Sequence, residues 1–188
     1  ARLLDRGSLQ RYIRATADDA VHLVPADFSL RHLDLHLDDA GKPTRRIAAL
    51  LRSVADDYDV AIIDCPAGIT LTSESVFAAV EVLLVPTIPT TLSQRTLDQL
   101  RQHLATGEAR PEVLAFASMF DRRKKLQRQI LADLAADTTG FLPTAIPNAS
   151  VIEQMGLERA PLATYAAANP ATLAFRALWS DIAARIWT

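Results

Sequence analysis

Four apolar runs, each ending at a proline, glycine or polar break and separated by stretches of helical spacing, constrain this chain most. Tyr58-Asp59-Val60-Ala61-Ile62-Ile63-Asp64 reads as a buried strand ending on a carboxylate, and Cys65-Pro66-Ala67-Gly68 breaks it at once. Val82-Leu83-Leu84-Val85-Pro86 leads into Thr87-Ile88-Pro89-Thr90-Thr91. Val113-Leu114-Ala115-Phe116-Ala117 leads into Ser118-Met119-Phe120-Asp121, and a fourth short run ends at Ala145-Ile146-Pro147-Asn148. Between them, Ser93 is a candidate N-cap for a helix burying Leu97, Leu100 and Leu104, with Gly107 as its stop. A helix from about Arg122 to Asp137 is expected to bury Leu126, Ile130, Leu131 and Leu134, and the last helix Phe175, Leu178, Trp179, Ile182 and Ile186. Strands alternating with helices of this length predict an α/β fold, a mostly parallel β-sheet with helices on both faces.

The N-terminal third follows the same logic with shorter elements. Leu9, Tyr12 and Ile13 share one face of an opening helix capped by Ser8, and Val21 to Pro25 reads as a strand. Asp27 is placed to cap a helix carrying Leu30, Leu33 and Leu37, which Gly41 and Pro43 end. A helix with Ile47, Leu50, Leu51 and Val54 leads into the polar turn Asp56-Asp57-Tyr58-Asp59. Thr72 or Ser73 then caps a helix of Val76, Phe77 and Val80.

With 188 residues, nearly half of them apolar, the chain has enough material for one core, so residues 1–188 are expected to form a single domain. Its net charge of −2 excludes a global basic field, so any nucleic-acid contact must come from a local patch. The single cysteine, Cys65, excludes an intramolecular disulfide framework and fits a reducing compartment. No basic leader precedes an apolar segment, and the apolar run around Val76 to Pro86 is interrupted by Glu81 and too short for a bilayer. The expectation is a soluble, cytoplasmic protein.

In open parallel sheets, ligands sit beyond the carboxyl ends of the strands. A strand-terminal Asp64 followed by a Pro/Gly loop therefore suits a magnesium nucleotide; the competing reading is an N-cap for the next helix. Cys65 falls on the other side of the strand, as a small buried hydrophobe without catalytic role. His22, His32, His36 and His103 lack the spacing of a zinc site.

The ordered set IIDCPAG, LLVPTIPTTLS, SMFDRR and AIPNASVIEQMGLERAPLATYAAANPA resembles the ParA/MinD family of deviant P-loop ATPases, the partition ParA proteins most of all, from about Val21 to Ile186. The resemblance implies a P-loop NTPase-like fold using ATP/ADP and Mg²⁺. Asp64 would order the magnesium shell through water, and Pro66, Ala67 and Gly68 would form the loop sensing the γ-phosphate. Typical partition ATPases carry two prolines in that loop, where this chain has Pro66-Ala67. Ser118 and Met119, with the Ile146-Pro147-Asn148 turn, match the positions framing the adenine; Asn148 stands where those proteins have an arginine. The glycine-rich phosphate loop has no counterpart here, since Gly41-Lys42 is followed by Pro43 and preceded by His36 at the earlier glycine position. The expectation is a domain incomplete at the N-terminus, lacking its P-loop portion and unable to hydrolyse ATP alone.

Arg122, Arg123, Lys124, Lys125 and Arg128 crowd five cations at a helix start, against its dipole. Such a run reads either as a solvated helix face or as a DNA contact, with Arg95 and Arg101 as weaker candidates. The resemblance further implies a homodimer sandwiching ATP, non-specific DNA binding, a ParB-like or other activating partner, and a nucleoid-associated location. No membrane partner is expected, because the last helix lacks a lysine-rich polar face. The rival reading is a non-catalytic regulatory or scaffold module of the same fold. A related amidoligase or reductase-type ATPase would need cysteine ligands or a further substrate domain.

Overall fold

In the computed structural model, residues 8–39, 45–136 and 140–187 are described. The chain divides into two compact units, Ala1–Glu81 with Glu108–Pro111, and Val82–Gly107 with Glu112–Thr188.

In the first unit, strands β1 (Arg14–Ala15) and β2 (His22–Leu23) pair antiparallel as a short, exposed ribbon. Thr16 closes it, its hydroxyl donating to the Val21 carbonyl at 2.8 Å. The strand expected from Val21 to Pro25 thus contracts to two residues of opposite sense to a parallel sheet. Likewise, the opening helix contracts to a 3-10 turn at Leu9–Arg11, without a side-chain cap from Ser8. A 3-10 segment, Phe28–His32, runs into helix α1 (Leu33–Asp39), which buries Leu37 completely. The expected stop at Gly41 and Pro43 lies outside the described residues. Helix α2 (Arg46–Arg52) and helix α3 (Leu71–Phe77) follow, and α3 seals Ser73, Ser75, Val76 and Phe77.

Tyr58–Asp64 requires the largest correction. It joins no ladder among the described residues and carries no strand assignment. Ile62 is 84% exposed, Val60 is exposed as well, and Asp64 faces solvent. An apolar run can be a buried strand only where flanking strands take up its N–H and C=O groups; among the described residues none does.

The second unit delivers the expected sheet. Strands β3 (Val82–Thr87), β4 (Glu112–Phe120) and β5 (Phe141–Pro147) lie in the order β3-β4-β5, all parallel. Alternate residues of β4 face opposite ways, as a period of two requires. Ala115 and Ala117 pack with Leu97 of helix α4 (Thr91–Thr106) and with Ile130 and Leu134 of helix α5 (Lys125–Ala136). Leu114 and Phe116 pack on the other face with Leu142, Ile146 and Leu178. Short helices α6 (Ser150–Glu153), α7 (Met155–Glu158) and α8 (Leu162–Tyr165) lead to helix α9 (Pro170–Ile186), which supplies Leu178. Both faces of the sheet are therefore covered by helices. Leu126, Phe175 and Trp179, expected in the core, lie at 63%, 37% and 43% exposure. The apolar faces of α5 and α9 are narrower than the spacing implied. No helix among the described residues is long and apolar enough to cross a membrane.

Candidate functional site

A parallel sheet directs all its strand carboxyl ends to one edge, where ligands bind in such folds. Here that edge gathers Thr87, the end of β4 and the end of β5. The β4–β5 register shifts between Ala117 and Phe120. Within the irregularity Met119 adopts φ 52°, a left-handed conformation unusual for a side chain with a Cβ. Such a backbone costs on the order of 1–3 kcal/mol and persists only where its surroundings fix it. They do so here: Phe120 pairs with Pro147, and the Asn148 N–H donates to the Phe120 carbonyl at 2.9 Å. Met119 is left half exposed beside a half-buried Ser118. Ser118, Met119, Pro147 and Asn148, all singled out in the sequence, thus meet at one edge. Ile146 does not present its side chain there, being 4% exposed within the core; only its main chain serves.

Directly after Phe120 comes the basic turn. Asp121 accepts the Arg123 backbone N–H at 3.0 Å and binds its guanidinium through two contacts, from Nε at 3.0 Å and Nη2 at 2.9 Å. These contacts, the guanidinium first and the backbone N–H second, hold the Asp121 carboxyl at a pKa of about 2. Arg128 donates from Nη1 to the Arg122 carbonyl at 2.6 Å. Arg122, Arg123, Lys124, Lys125 and Arg128 are all exposed. Gln127 escaped the sequence reading: 7% exposed, it accepts the Asp121 N–H through Oε1 at 2.8 Å. Its signal was a polar residue at the spacing of the buried Ile130 and Leu134.

Asp64, Pro66 and Gly68 belong to the first unit. The cap reading of Asp64 is not realised, because Thr70 caps α3. The Thr70 hydroxyl accepts the Ser73 N–H while Ser73 Oγ accepts the Thr70 N–H. Asp34 reinforces that turn, accepting the Thr72 N–H at 2.7 Å, and its carboxyl is held below the ordinary value by Thr72. Gly68 sits at φ 109°, open to solvent and accessible to few other residues. Partial burial, and secondarily the Asp64 charge, push the Cys65 thiol up, away from the thiolate a nucleophile needs.

Magnesium takes one or two carboxylates and otherwise water and phosphate oxygens, so an exposed Asp64 fits its shell. A phosphate cradle does not fit these residues. It needs closely spaced glycines, and the six here stand far apart, at 7, 41, 68, 107, 140 and 156.

A parallel sheet with helices on both faces defines an open-sheet α/β protein, the architecture that P-loop NTPase-like folds share. The AAA domain family model matches residues 1–111, and the chain belongs to that family, in its ParA/MinD branch. The chromosome partitioning protein ParA of Myxococcus xanthus is 27% identical over 139 residues, which cover 70% of this chain and 48% of that protein. The chain thus spans about half the length of the curated relative it matches. Among solved structures, apo McdA of Cyanothece superposes with a TM-score of 0.77 at 19% identity, over 96% of this chain and 75% of McdA. The cell division ATPase MinD of Pyrococcus furiosus gives 0.69 at 21% identity, over 96% and 73%. These two likenesses establish the fold.

Proposed function

We propose that this chain is the part of a ParA-type partition or positioning ATPase that holds the adenine end of ATP or ADP and presents a DNA-binding turn. The single observation supporting it best is the irregular β4 end, where a left-handed Met119 and the Asn148-to-Phe120 hydrogen bond fix main-chain groups at a parallel carboxyl edge. Main-chain groups of Ser118, Met119 and Ile146, with Pro147 and Asn148, would read the base. Asp64 would order the magnesium shell, with Pro66, Ala67 and Gly68 as the adjoining loop. These 188 residues hold no glycine-rich cradle for the phosphates of ATP, so no hydrolytic step is derived from them. ATP-dependent homodimerisation, non-specific duplex binding at Arg122, Arg123, Lys124, Lys125 and Arg128, and stimulation by a ParB-like partner complete the reading.

A second reading has one observation in its favour. Tyr58–Asp64 lies outside any ladder among the described residues, as suits a scaffold module that does not use its acid.

Amide chemical shifts during titration with adenosine and with ATP–Mg²⁺ separate the two. Because the base is held and the phosphates are not, both ligands should bind weakly and with similar affinity, moving amides of Ser118–Asp121 and of Ile146 and Asn148. No shift in either segment would rule out the nucleotide reading, and magnesium-dependent ATP turnover by these 188 residues would contradict the missing cradle.

A further inference from the structure

Among the five exposed cations of the basic turn, Arg123 is distinct. Its side chain is 86% exposed, yet its Nε and Nη2 are held by a carboxylate that is itself only 12% exposed. A guanidinium carries five N–H donors in one rigid plane. With two of them committed to Asp121, the plane is fixed and the Nη1 donors are left for a second oxygen acceptor. A surface ion pair adds little to stability, so fixing this plane is the main consequence of the contact. The carboxylate is itself anchored at its own backbone, since the buried Gln127 takes the Asp121 N–H at 2.8 Å. Arg128, tied to the Arg122 carbonyl, holds the other side of the turn. Lys124 and Lys125 complete the positive rim.

We propose that Asp121 is a positioning residue for nucleic-acid binding: it fixes the Arg123 guanidinium so that its free edge meets a backbone phosphate of duplex DNA, with Gln127 holding Asp121 in place. This rests on the DNA reading of the basic turn. It also runs against simple electrostatics. Removing a carboxylate from a cationic patch raises its positive charge and should tighten polyanion binding. Loss of a preset guanidinium should weaken it, because the arginine then has to be ordered on binding.

The test is equilibrium binding of a short duplex of arbitrary sequence to the full chain across a salt series. Asp121→Ala should weaken binding about tenfold, the scale of losing one oriented charge-assisted pair. In an Arg123→Ala background the same change should no longer weaken it. Asp121→Asn, which keeps the oxygen bound to the Arg123 backbone N–H, should fall between and serves as the variant if Asp121→Ala fails to fold. Tighter binding by Asp121→Asn or Asp121→Ala, with the salt slope steeper by about 0.9 for one more phosphate contacted, overturns the proposal and makes Asp121 a competitor for Arg123. Equal weakening with and without Arg123 also overturns it. If the native chain binds no duplex at about 50 mM salt, the DNA reading and this inference fall together. If it binds but Asp121→Asn and Asp121→Ala behave like it, the inference alone is lost.

Discussion

The Asp121 carboxyl is held by the Arg123 guanidinium and backbone N–H at a pKa of about 2, well below the ~3.9 of an unfolded aspartate. A depressed folded-state value means that the ionised form favours folding. Its contribution is complete above about pH 4 and disappears as pH falls toward 2. NMR titration of the Asp121 side-chain carboxyl should therefore show a midpoint near 2, and a midpoint near 4 would deny the ion pair in solution. Arg159 illustrates the opposite kind of local energy. It ends α7 in the left-handed region, at φ 50° and ψ 36°, where glycine is the usual residue. Arg159→Gly should raise stability by about 1 kcal/mol in urea unfolding; a loss of stability would reveal a side-chain role at that cap. At this scale the sequence was legible where chemistry is local. Ser118, Met119 and Asn148 were placed by the strand ends that carry them. Gln127 was not, because its partner is a backbone N–H whose position depends on how the turn folds.

Elements were legible wherever a periodic apolar pattern finds partners inside the chain. Val82–Val85, Val113–Ala117 and the spacing of Leu97, Ile130 and Leu134 all became sheet and covering helix. Caps were read a turn too late: Ser73 and Ser93 proved to be the third helical residues, partners of the true caps Thr70 and Thr90. Two hydroxyl residues three apart carry the same signal at either position. Two predictions belong at this scale. Gly140 immediately precedes β5 at φ +87°, and a Cβ there would lie 2.4 Å from the Val113 carbonyl oxygen of β4. Gly140→Ala should thus cost about 2 kcal/mol or more in thermal or urea unfolding, combining backbone strain with a clash that only strand movement relieves. A neutral result would mean that β5 does not start as described. Asp34 joins α1 to the first turn of α3 through Thr72. Asp34→Asn should cost about 0.5–1 kcal/mol, below the ~1.5–3 kcal/mol of a hydrogen bond to a charged group because this site is exposed and screened; no change would show that the Thr70–Ser73 capping box suffices alone.

Across the whole molecule, order is distributed unevenly, and the difference follows from what each segment pairs with. Leu114, Ala115 and Ala117 are fully enclosed between two strands and two helical layers. Val60–Asp64 has a comparable apolar composition and none of that company: Ile62 is 84% exposed and the segment joins no ladder among the described residues. Apolar composition reports what a strand is able to bury, whereas burial requires flanking strands, and a linear pattern does not encode those. Native-state hydrogen exchange reads the difference directly, because protection follows the local free energy of opening. Amides of Leu114–Ala117 should exchange only with global unfolding, while those of Ala61–Asp64 should exchange close to the unprotected rate. If Ile62 and Ile63 proved as slow as Leu114, the segment would be a paired strand after all, and Asp64 would regain the sheet-edge position that the sequence first assigned to it.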